Sequence, residues 1–459
     1  MIDQNMFRAY DIRGTYPDQI NIESSTLIGR GFGSYLIKKF DLEHPTVVVG
    51  RDCRTHGPEV YKAFIDGLIS TGCFVTETGL SPSPLLYFSN CSGQFDAGCN
   101  ITASHNPKEY NGFKMITKNA HAVCGDELQK LYQLISNNDL IDGEGTVKSD
   151  NYEERYFDKI KSIFNYSKSL KIVVDTANGV AGDLYPAILR KLGHEVIELY
   201  TELDGTFPNH EPDPIVEKNL VDLKKMVLEN NADLGICFDG DGDRIGIVTE
   251  EGNFVNSDLL LMLLSKDVLS RYPNRSIIFT VSNSQSLFEL VKQWNGKPIM
   301  CSVGHSFVEE SMVENNSILG GEQSGHFFLP EDYYSYDDAL ITAARVLKII
   351  SDSNKNTSKL FTEFPKTFAE PEIRPYCSDD VKFNVLKGIK EFFKNKYPNI
   401  TIDGIRMDFG NGGWAGIRVS NTSPRLSITI EAQTNEHLEE IKDVVLGHIK
   451  TYEEVEWEK

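Results

Sequence analysis

Compact apolar runs that end in a turn or a polar loop recur along the first 330 residues and fall into three comparable sets. The first set covers 46–50, 73–76 and 95–102, the second 171–175, 195–199 and 233–238, and the third 276–281, 298–301 and 317–319. β-Branched residues dominate several of them, as in Val47-Val48-Val49 and Ile277-Ile278, which marks these runs as strands. Between the first and second run of each set lies a stretch with helical spacing, carried by Val60, Phe64, Leu68 and Ile69 in one case and by Leu184, Ile188, Leu189 and Leu192 in another. Gly72, Gly193 and Gly296 end these stretches and suit helix C-caps. Each set therefore predicts strand, helix, strand, strand, the α/β pattern of a largely parallel sheet.

After about residue 365 the pattern changes. An amphipathic helix over 382–397, short strands near 400–407 and 415–419, a strand over 426–432 and a final helix over 435–452 predict a smaller α+β domain. Turn-forming stretches at Asp142-Gly143-Glu144-Gly145 and Glu250-Glu251-Gly252-Asn253, and the three prolines within 362–375, divide the chain into 1–145, 146–252, 253–365 and 366–459.

Chemistry concentrates after the last strand of each set, where open α/β sheets bind ligands. The three loops read Thr102-Ala103-Ser104-His105-Asn106-Pro107, then Asp239-Gly240-Asp241-Gly242-Asp243-Arg244, then Gly320-Gly321-Glu322-Gln323-Ser324-Gly325-His326. In the second loop three carboxylates alternate with glycine, so a tight backbone aims hard oxygens at one point, as Mg²⁺ or Ca²⁺ requires. An EF-hand fails because Arg244 stands where the turn needs glycine and strands flank the loop. Ser104 suits either a nucleophile or an N-cap, and no G-x-S-x-G elbow is present. Asn111-Gly112-Phe113 turns the chain and could return Lys114 toward Ser104 as a base or phosphate partner. Glu322, Ser324 and His326 suit sugar hydroxyls and acid–base work, or simply a polar turn. Arg418-Val419-Ser420-Asn421-Thr422-Ser423 joins a guanidinium, hydroxyls and turn amides, a candidate anion nest that an ordinary surface turn matches equally. In Phe7-Arg8-Ala9-Tyr10-Asp11-Ile12-Arg13-Gly14 the arginines fit ion pairs or phosphate contacts.

The balance of 46 Lys+Arg against 67 Asp+Glu leaves a net charge of −21, which excludes a generic nucleic-acid binder. Eight cysteines without a C-x-x-C pair or metal spacing read as reduced thiols. Without a signal-like start, and with 259–264 as the longest apolar run, no membrane association and a cytoplasmic location are expected.

With these segments in this order the chain resembles the α-D-phosphohexomutase family over its whole length. Residues 7–14, 106–114 with Tyr110 and Phe113, and Phe207-Pro208-Asn209-His210-Glu211-Pro212-Asp213-Pro214 resemble its phosphomannomutase/phosphoglucomutase branch, whereas Gln323 is also common in phosphoglucosamine mutases. Gly304-His305-Ser306-Phe307 resembles a family loop, with Glu309 and Glu310 where basic residues are expected. The resemblance implies three similar α/β domains with mixed, largely parallel sheets, a smaller C-terminal phosphate-binding domain, and an active site in the central cleft.

It further implies a catalytic phosphoryl group on Ser104, with Mg²⁺ held by that group and by Asp239, Asp241 and Asp243. Lys114 and His326 would transfer protons, and Arg13 and Arg244 would flank the moving phosphoryl. Tyr10, Glu322 and Ser324 would contact the sugar, while Arg418, Ser420, Asn421 and Thr422 would hold the phosphate that is not reacting. The expected reaction interconverts hexose 6- and 1-phosphates, of mannose and also of glucose, through hexose 1,6-bisphosphate, in a monomer or homodimer. Phosphoglucosamine mutase is the alternative enzyme. A catalytically silent sugar-phosphate binder would need neither Ser104 nor the acidic loop, and a simple phosphatase would release inorganic phosphate steadily.

Overall fold

The computed structural model describes residues 2–420 and 423–457. They form two compact units, one of residues 1–257 and 324–360, the other of 258–323 and 361–459. In the first unit, Thr46–Arg51 lies between Phe74–Leu80 and Ala97–Ile101, parallel to both. Tyr110–Thr117 runs antiparallel beside Ala97–Ile101, followed by Ile12–Thr15, and Thr146–Ser149 extends the opposite edge. The same unit holds a second sheet with Lys171–Asp175 between Glu195–Leu199 and Leu234–Phe238, all parallel, and Ile245–Thr249 antiparallel beyond. In the second unit Ser276–Thr280 lies between Lys297–Cys301 and Leu319–Gly321, again parallel. There too lies an antiparallel sheet in the order Phe368–Ala369, Leu426–Ala432, Gly413–Val419, Ile405–Gly410, Asn399–Ile400.

In each of the three α/β sheets the first strand of the set is central, with the second and third on either side. Successive connections leave it in opposite directions, so a crevice opens outside the carboxyl ends of the first and third strands. Each connection between parallel strands needs a crossover, usually a helix. The expected crossovers are present as Gly57–Ile69, Leu184–Lys191 and Gln285–Gln293. A second crossover helix in each set, Ser83–Gly93, Val221–Asn230 and His305–Glu314, corrects the predicted direct succession of two strands. Ser83–Gly93 buries every position from Ser83 to Asn90, which erases the one-sided period that identifies a helix in sequence.

The core of the first sheet gathers Val47, Val49, Cys99, Ile101 and Phe113 with Phe32 and Phe64. Helix Ile22–Phe40 meets Gly57–Ile69 in backbone contact, because a Cβ at Gly29 would lie 2.2 Å from Phe64 O and one at Gly67 2.3 Å from Thr26 O. Gly72 and Gly193 take the expected left-handed conformation after their helices. In the third set Asn295 takes it (φ 57°), and Gly296 instead admits Leu269, which a Cβ would meet at 2.6 Å. The strand expected near 400–407 is two strands, separated by a turn in which Gly404 has φ 71°. Among the described residues no helix is long and apolar enough to cross a membrane.

Asp338 caps helix Ala339–Asp352 by accepting from Ile341 N, and it also accepts from the hydroxyls of Tyr156 and Tyr333. Burial pushes its carboxyl up to about 6 although these three donors favour the ionised form. A carboxyl raised on folding contributes stability that is lost as pH rises through its folded value. Relative to Asp338→Asn, the wild-type protein should therefore lose about 3 kcal/mol between pH 4 and pH 7, measured by urea denaturation at a series of pH values. A difference between the two proteins that does not change with pH contradicts this.

Candidate active site

Ser104 follows strand Ala97–Ile101 in a left-handed conformation (φ 52°), an unfavourable one for serine. Its hydroxyl is buried and donates to Asp239 Oδ2 at 2.8 Å, with His105 Nδ1 at 3.3 Å. The amide of Ser104 donates to Thr102 Oγ1. Such strain persists only where surrounding contacts over-determine it, and here they converge from three directions. Arg54 and Arg13 hold the loop from two sides, and Gly240 packs on it from the third: a Cβ there would meet Ser104 O at 2.7 Å.

The acidic loop joins antiparallel strands Leu234–Phe238 and Ile245–Thr249, and Gly242 (φ 77°) makes its turn beneath Tyr185, whose hydroxyl donates to Gly242 O. Asp239, Asp241 and Asp243 are all buried, and one ligand oxygen from each can be chosen so that all lie within 4.8 Å of one another. Asp239 Oδ1 accepts from the amides of Asp243 and Arg244. Asp241 Oδ2 accepts from Ser83 Oγ at 2.7 Å and pairs with Lys114 Nζ at 2.8 Å, and Lys114 also pairs with Asp243. Burial and the neighbouring carboxylates of Asp243 and Asp241 push the Asp239 carboxyl well up. Burial opposes ionisation of Asp243, but Lys114 and His326 outweigh it and hold that carboxyl well down. Burial likewise opposes charge on Lys114, while Asp241 and Asp243 hold its ammonium well above the usual range.

The donor set suits a hard divalent cation. Asp241 Oδ1 is buried and accepts no hydrogen bond, and Asp243 Oδ1 lies 3.4 Å from His326 Nε2, so the loop offers anionic oxygens beside Asp239 that a cation could share. A second acidic grouping, Asp243, His326 and Asp337, shares one of these carboxylates.

Arg244, His326, Ser324 and Arg13 complete this part of the first unit. Arg244 and His326 face each other across a β-bridge, and Arg244 Nε donates to His326 Nε2 at 3.3 Å. His326 Nδ1 lies 2.9 Å from Ser324 Oγ, and its Nε2 also lies 3.4 Å from Asp243 Oδ1. Arg13 Nε donates to Asp11 Oδ2 at 2.6 Å, and its Nη1 to Asn106 Oδ1 and Ala103 O. Although burial opposes charge, Asp11 and Tyr10 push the Arg13 guanidinium up, and Asp213, Asp239 and Asp243 do the same for Arg244. Ser104, the three aspartates, Lys114, Arg13, Arg244, Ser324 and His326 are thus gathered in the first unit.

In the second unit, buried Glu322 accepts from Gly304 N at 2.8 Å. Arg418 lies on strand Gly413–Val419, its Nη2 3.4 Å from Glu372 Oε1 and its Nε buried without a hydrogen bond. Ser420 Oγ lies 2.9 Å from Ser423 Oγ and accepts from Arg374 Nη2 at 3.1 Å, while Lys382 Nζ donates to Ser420 O. Asn421 and Thr422 lie outside the described residues. The 304–310 segment starts helix His305–Glu314, in which Glu309 is buried.

Residues 4–142, 154–252 and 256–368 match, in order, alpha/beta/alpha domains I, II and III of phosphoglucomutase/phosphomannomutase. The chain is 41% identical over 447 residues to a phosphomannomutase/phosphoglucomutase of Pseudomonas aeruginosa, covering 97% of this chain and 96% of that one. The chain belongs to the phosphoglucomutase/phosphomannomutase family. A phosphoglucomutase of Neisseria meningitidis is 34% identical over 461 residues, 99% of both chains. A crystal structure of a phosphoglucomutase/phosphomannomutase family protein from Burkholderia thailandensis superposes with a TM-score of 0.91 at 36% identity, covering 98% of each chain.

Against that family background, the residue that sequence reasoning missed is Arg54. It is fully buried, and every one of its five side-chain N–H donors is used: Nε to Asp52 Oδ2, Nη1 to Pro107 O and Tyr110 O, Nη2 to Ser104 O and Asn106 O. Asp52 also accepts from Thr102 Oγ1, so one ion pair grips the serine loop from its first residue to its last. Its signal was Asp52 and Arg54 just beyond the central strand Thr46–Arg51, on the crevice side of the sheet. Arg374 and Lys382 were missed as well, because they are distant in sequence from the loop they hold.

Lysine cannot supply a planar five-donor fork. Arg54→Lys should therefore lower kcat for a hexose phosphate about hundredfold while KM changes little, as expected for a displaced reacting group. Steady-state kinetics would check this, and a kcat near that of the wild type would show that the clamp does not set the geometry of Ser104.

Proposed function

We propose that this protein is a Mg²⁺-dependent phosphohexomutase that interconverts hexose 6-phosphate and hexose 1-phosphate, acting on mannose and also on glucose. The reading rests above all on the Ser104 hydroxyl donating to Asp239 at 2.8 Å inside a buried group of three carboxylates. A serine that only capped a turn would need no such neighbours. Family membership supports isomerase chemistry in the same direction.

In this reading Ser104 carries a phosphoryl group. The free hydroxyl of the bound sugar phosphate attacks phosphorus, the bond from phosphorus to Ser104 Oγ breaks, and hexose 1,6-bisphosphate forms. The bisphosphate turns end for end, and Ser104 Oγ attacks its other phosphoryl group, which restores the phosphoenzyme and releases the isomeric monophosphate. His326 is suited to receive and return the hydroxyl proton, whereas Lys114, held as an ammonium by Asp241 and Asp243, is suited to donate one. In its neutral form His326 offers a ring-nitrogen lone pair, and the Lys114 ammonium brings a charge that steadies the anionic oxygens. Arg13 and Arg244 flank the moving group, because phosphoryl transfer asks mainly for positioning and charge neutralisation. Asp239, Asp241 and Asp243 would hold the cation, which supplies further neutralisation.

Tyr10, Glu322 and Ser324 are assigned to the sugar, and Arg418, Ser420, Asn421 and Thr422 to the phosphate that is not reacting. Similarity to the Pseudomonas aeruginosa phosphomannomutase/phosphoglucomutase favours mannose and glucose over an amino sugar. The reading takes the domains as 1–145, 146–252, 253–365 and 366–459, with Thr146–Ser149 lent to the first sheet. All eight cysteines are free thiols, which supports a reducing, cytoplasmic setting, for a monomer or homodimer.

Incubation with glucose 1,6-bisphosphate and Mg²⁺ should add ~80 Da, one phosphoryl group, to the peptide containing Ser104, and Ser104→Ala should lose both the addition and most turnover. Near-normal turnover in that variant would remove Ser104 as the nucleophile. Asp241→Asn should weaken Mg²⁺ dependence and cut the rate at least about hundredfold in a metal titration of activity. An unchanged titration would take the acidic loop out of the mechanism.

A further inference from the structure

Within the second unit, the two adjoining residues Glu322 and Gln323 are each tied to the C-terminal antiparallel domain by a short chain of hydrogen bonds. Glu322 Oε1 accepts from Gly304 N at 2.8 Å, and the preceding amide, Val303 N, donates to Asp403 Oδ2 at 3.1 Å. Gln323 Nε2 donates to Asp258 Oδ2 at 2.9 Å, Asp258 Oδ1 accepts from Ser284 N at 3.0 Å, and Ser284 Oγ donates to Glu431 Oε1 at 2.9 Å. Asp403 lies in the turn between Asn399–Ile400 and Ile405–Gly410, and Glu431 on strand Leu426–Ala432.

The segment from Val281 to Ser284, just beyond the central strand Ser276–Thr280, is where the second chain passes from one domain to the other. Arg406 locks it there: Nη1 donates to Val281 O at 2.5 Å and Asn283 O at 2.7 Å, and the guanidinium stacks on Trp414 at 3.4 Å. Trp414 Nε1 donates in turn to the same Glu431 oxygen that Ser284 reaches. Glu322, Asp258, Ser284, Arg406, Trp414 and Glu431 are all buried, so a broken link leaves a polar group unsatisfied and the arrangement resists sliding. Asp403 is the half-exposed end of the first chain.

We propose that Asp403 and Ser284 are positioning residues through which the seating of the C-terminal domain orients the Glu322–Gln323 loop for the sugar. This rests on the reading of Glu322 as a sugar ligand and of the C-terminal domain as the phosphate holder. Affinity for the sugar then depends on residues that touch neither sugar nor phosphate. No hydrogen bond of either chain goes to Arg418 or Ser420, and the turn with Asp403 meets Arg418 only through backbone at Gly404, which side-chain variants leave in place, so the phosphate nest keeps its own affinity when the links are cut.

The test uses the full chain and three single variants, Asp403→Ala, Ser284→Ala and Glu322→Ala, with the double variant Asp403→Ala/Glu322→Ala. Steady-state kinetics with mannose 1-phosphate should show KM raised roughly tenfold in Asp403→Ala and severalfold in Ser284→Ala, with kcat changed less than about threefold. Inhibition by inorganic phosphate of the phosphoenzyme, whose Ser104 already carries its phosphoryl group and so leaves the nest as the phosphate site, should stay within about twofold of wild type. Adding Asp403→Ala to Glu322→Ala should raise KM no further, because the link then has nothing to orient. Unchanged KM in Asp403→Ala, additive losses in the double variant, or phosphate inhibition that weakens in parallel with KM would each overturn the inference while the proposed function stands. Glu322→Ala with wild-type KM would overturn the sugar-ligand reading, and the inference with it. Asp403 is half-exposed, so its variant should melt within a few degrees of wild type; an early-melting protein would shift the judgement to Ser284→Ala.

Discussion

Three carboxylates buried in one loop repel one another, and much of the first unit is arranged to offset that repulsion. The nearest compensation is Lys114, whose ammonium pairs with Asp241 and Asp243. It reaches them because strand Tyr110–Thr117 runs antiparallel to Ala97–Ile101, with Lys114 opposite Asn100 at the end from which Ser104 departs. Arg13 arrives from the next strand, paired against the same hairpin, and Arg244 from the end of the acidic loop itself. The protein as a whole carries a net charge of −21, yet this region is rich in cations because local placement, not overall composition, sets the potential at a buried site.

The second organising feature is the repeated strand order. With the first strand central and the other two beside it, the loop after the first strand lies next to the loop after the third, and each sheet uses that neighbourhood to hold its functional loop. The first does so with the guanidinium of Arg54. The second does so through backbone alone: Val180 N donates to Gly240 O at 3.1 Å, and Gly179 admits Gly240 so closely that a Cβ there would lie 2.8 Å from Gly240 O. The third uses Asp258 as a bridge between Asn283 and Gln323. One topology supports three chemical solutions to the same mechanical problem.

Much of this was legible in the sequence. Nine strands announced themselves as short apolar, β-rich runs, and the loops after them announced themselves as dense chemistry where the sheet ends. The second crossover helices were not legible, because helix Ser83–Gly93 is buried nearly all round and helices Val221–Asn230 and His305–Glu314 bury only a few positions. Arg54 was not legible because a charged residue beyond a strand ordinarily faces water, and only the fold reveals that four carbonyls of a loop fifty residues away surround it. Gly296 was read as a cap from its position, whereas packing against Leu269 is what excludes a side chain there.

By itself the sequence determined the order of elements, the three loops and the residue types that could hold a metal, carry a phosphoryl group or bind an anion. Those follow from local patterns, since strand period, turn chemistry and alternating carboxylates are properties of neighbouring residues. Tertiary structure alone decided that Ser104 donates to Asp239 across 135 residues of chain, that Lys114 settles between two aspartates, and that Asp403 and Glu431 reach the segments on which Glu322 and Gln323 rest. Such pairings depend on the order of strands in a sheet and on which side chains remain buried, and no local pattern encodes the partner that a buried polar group will find.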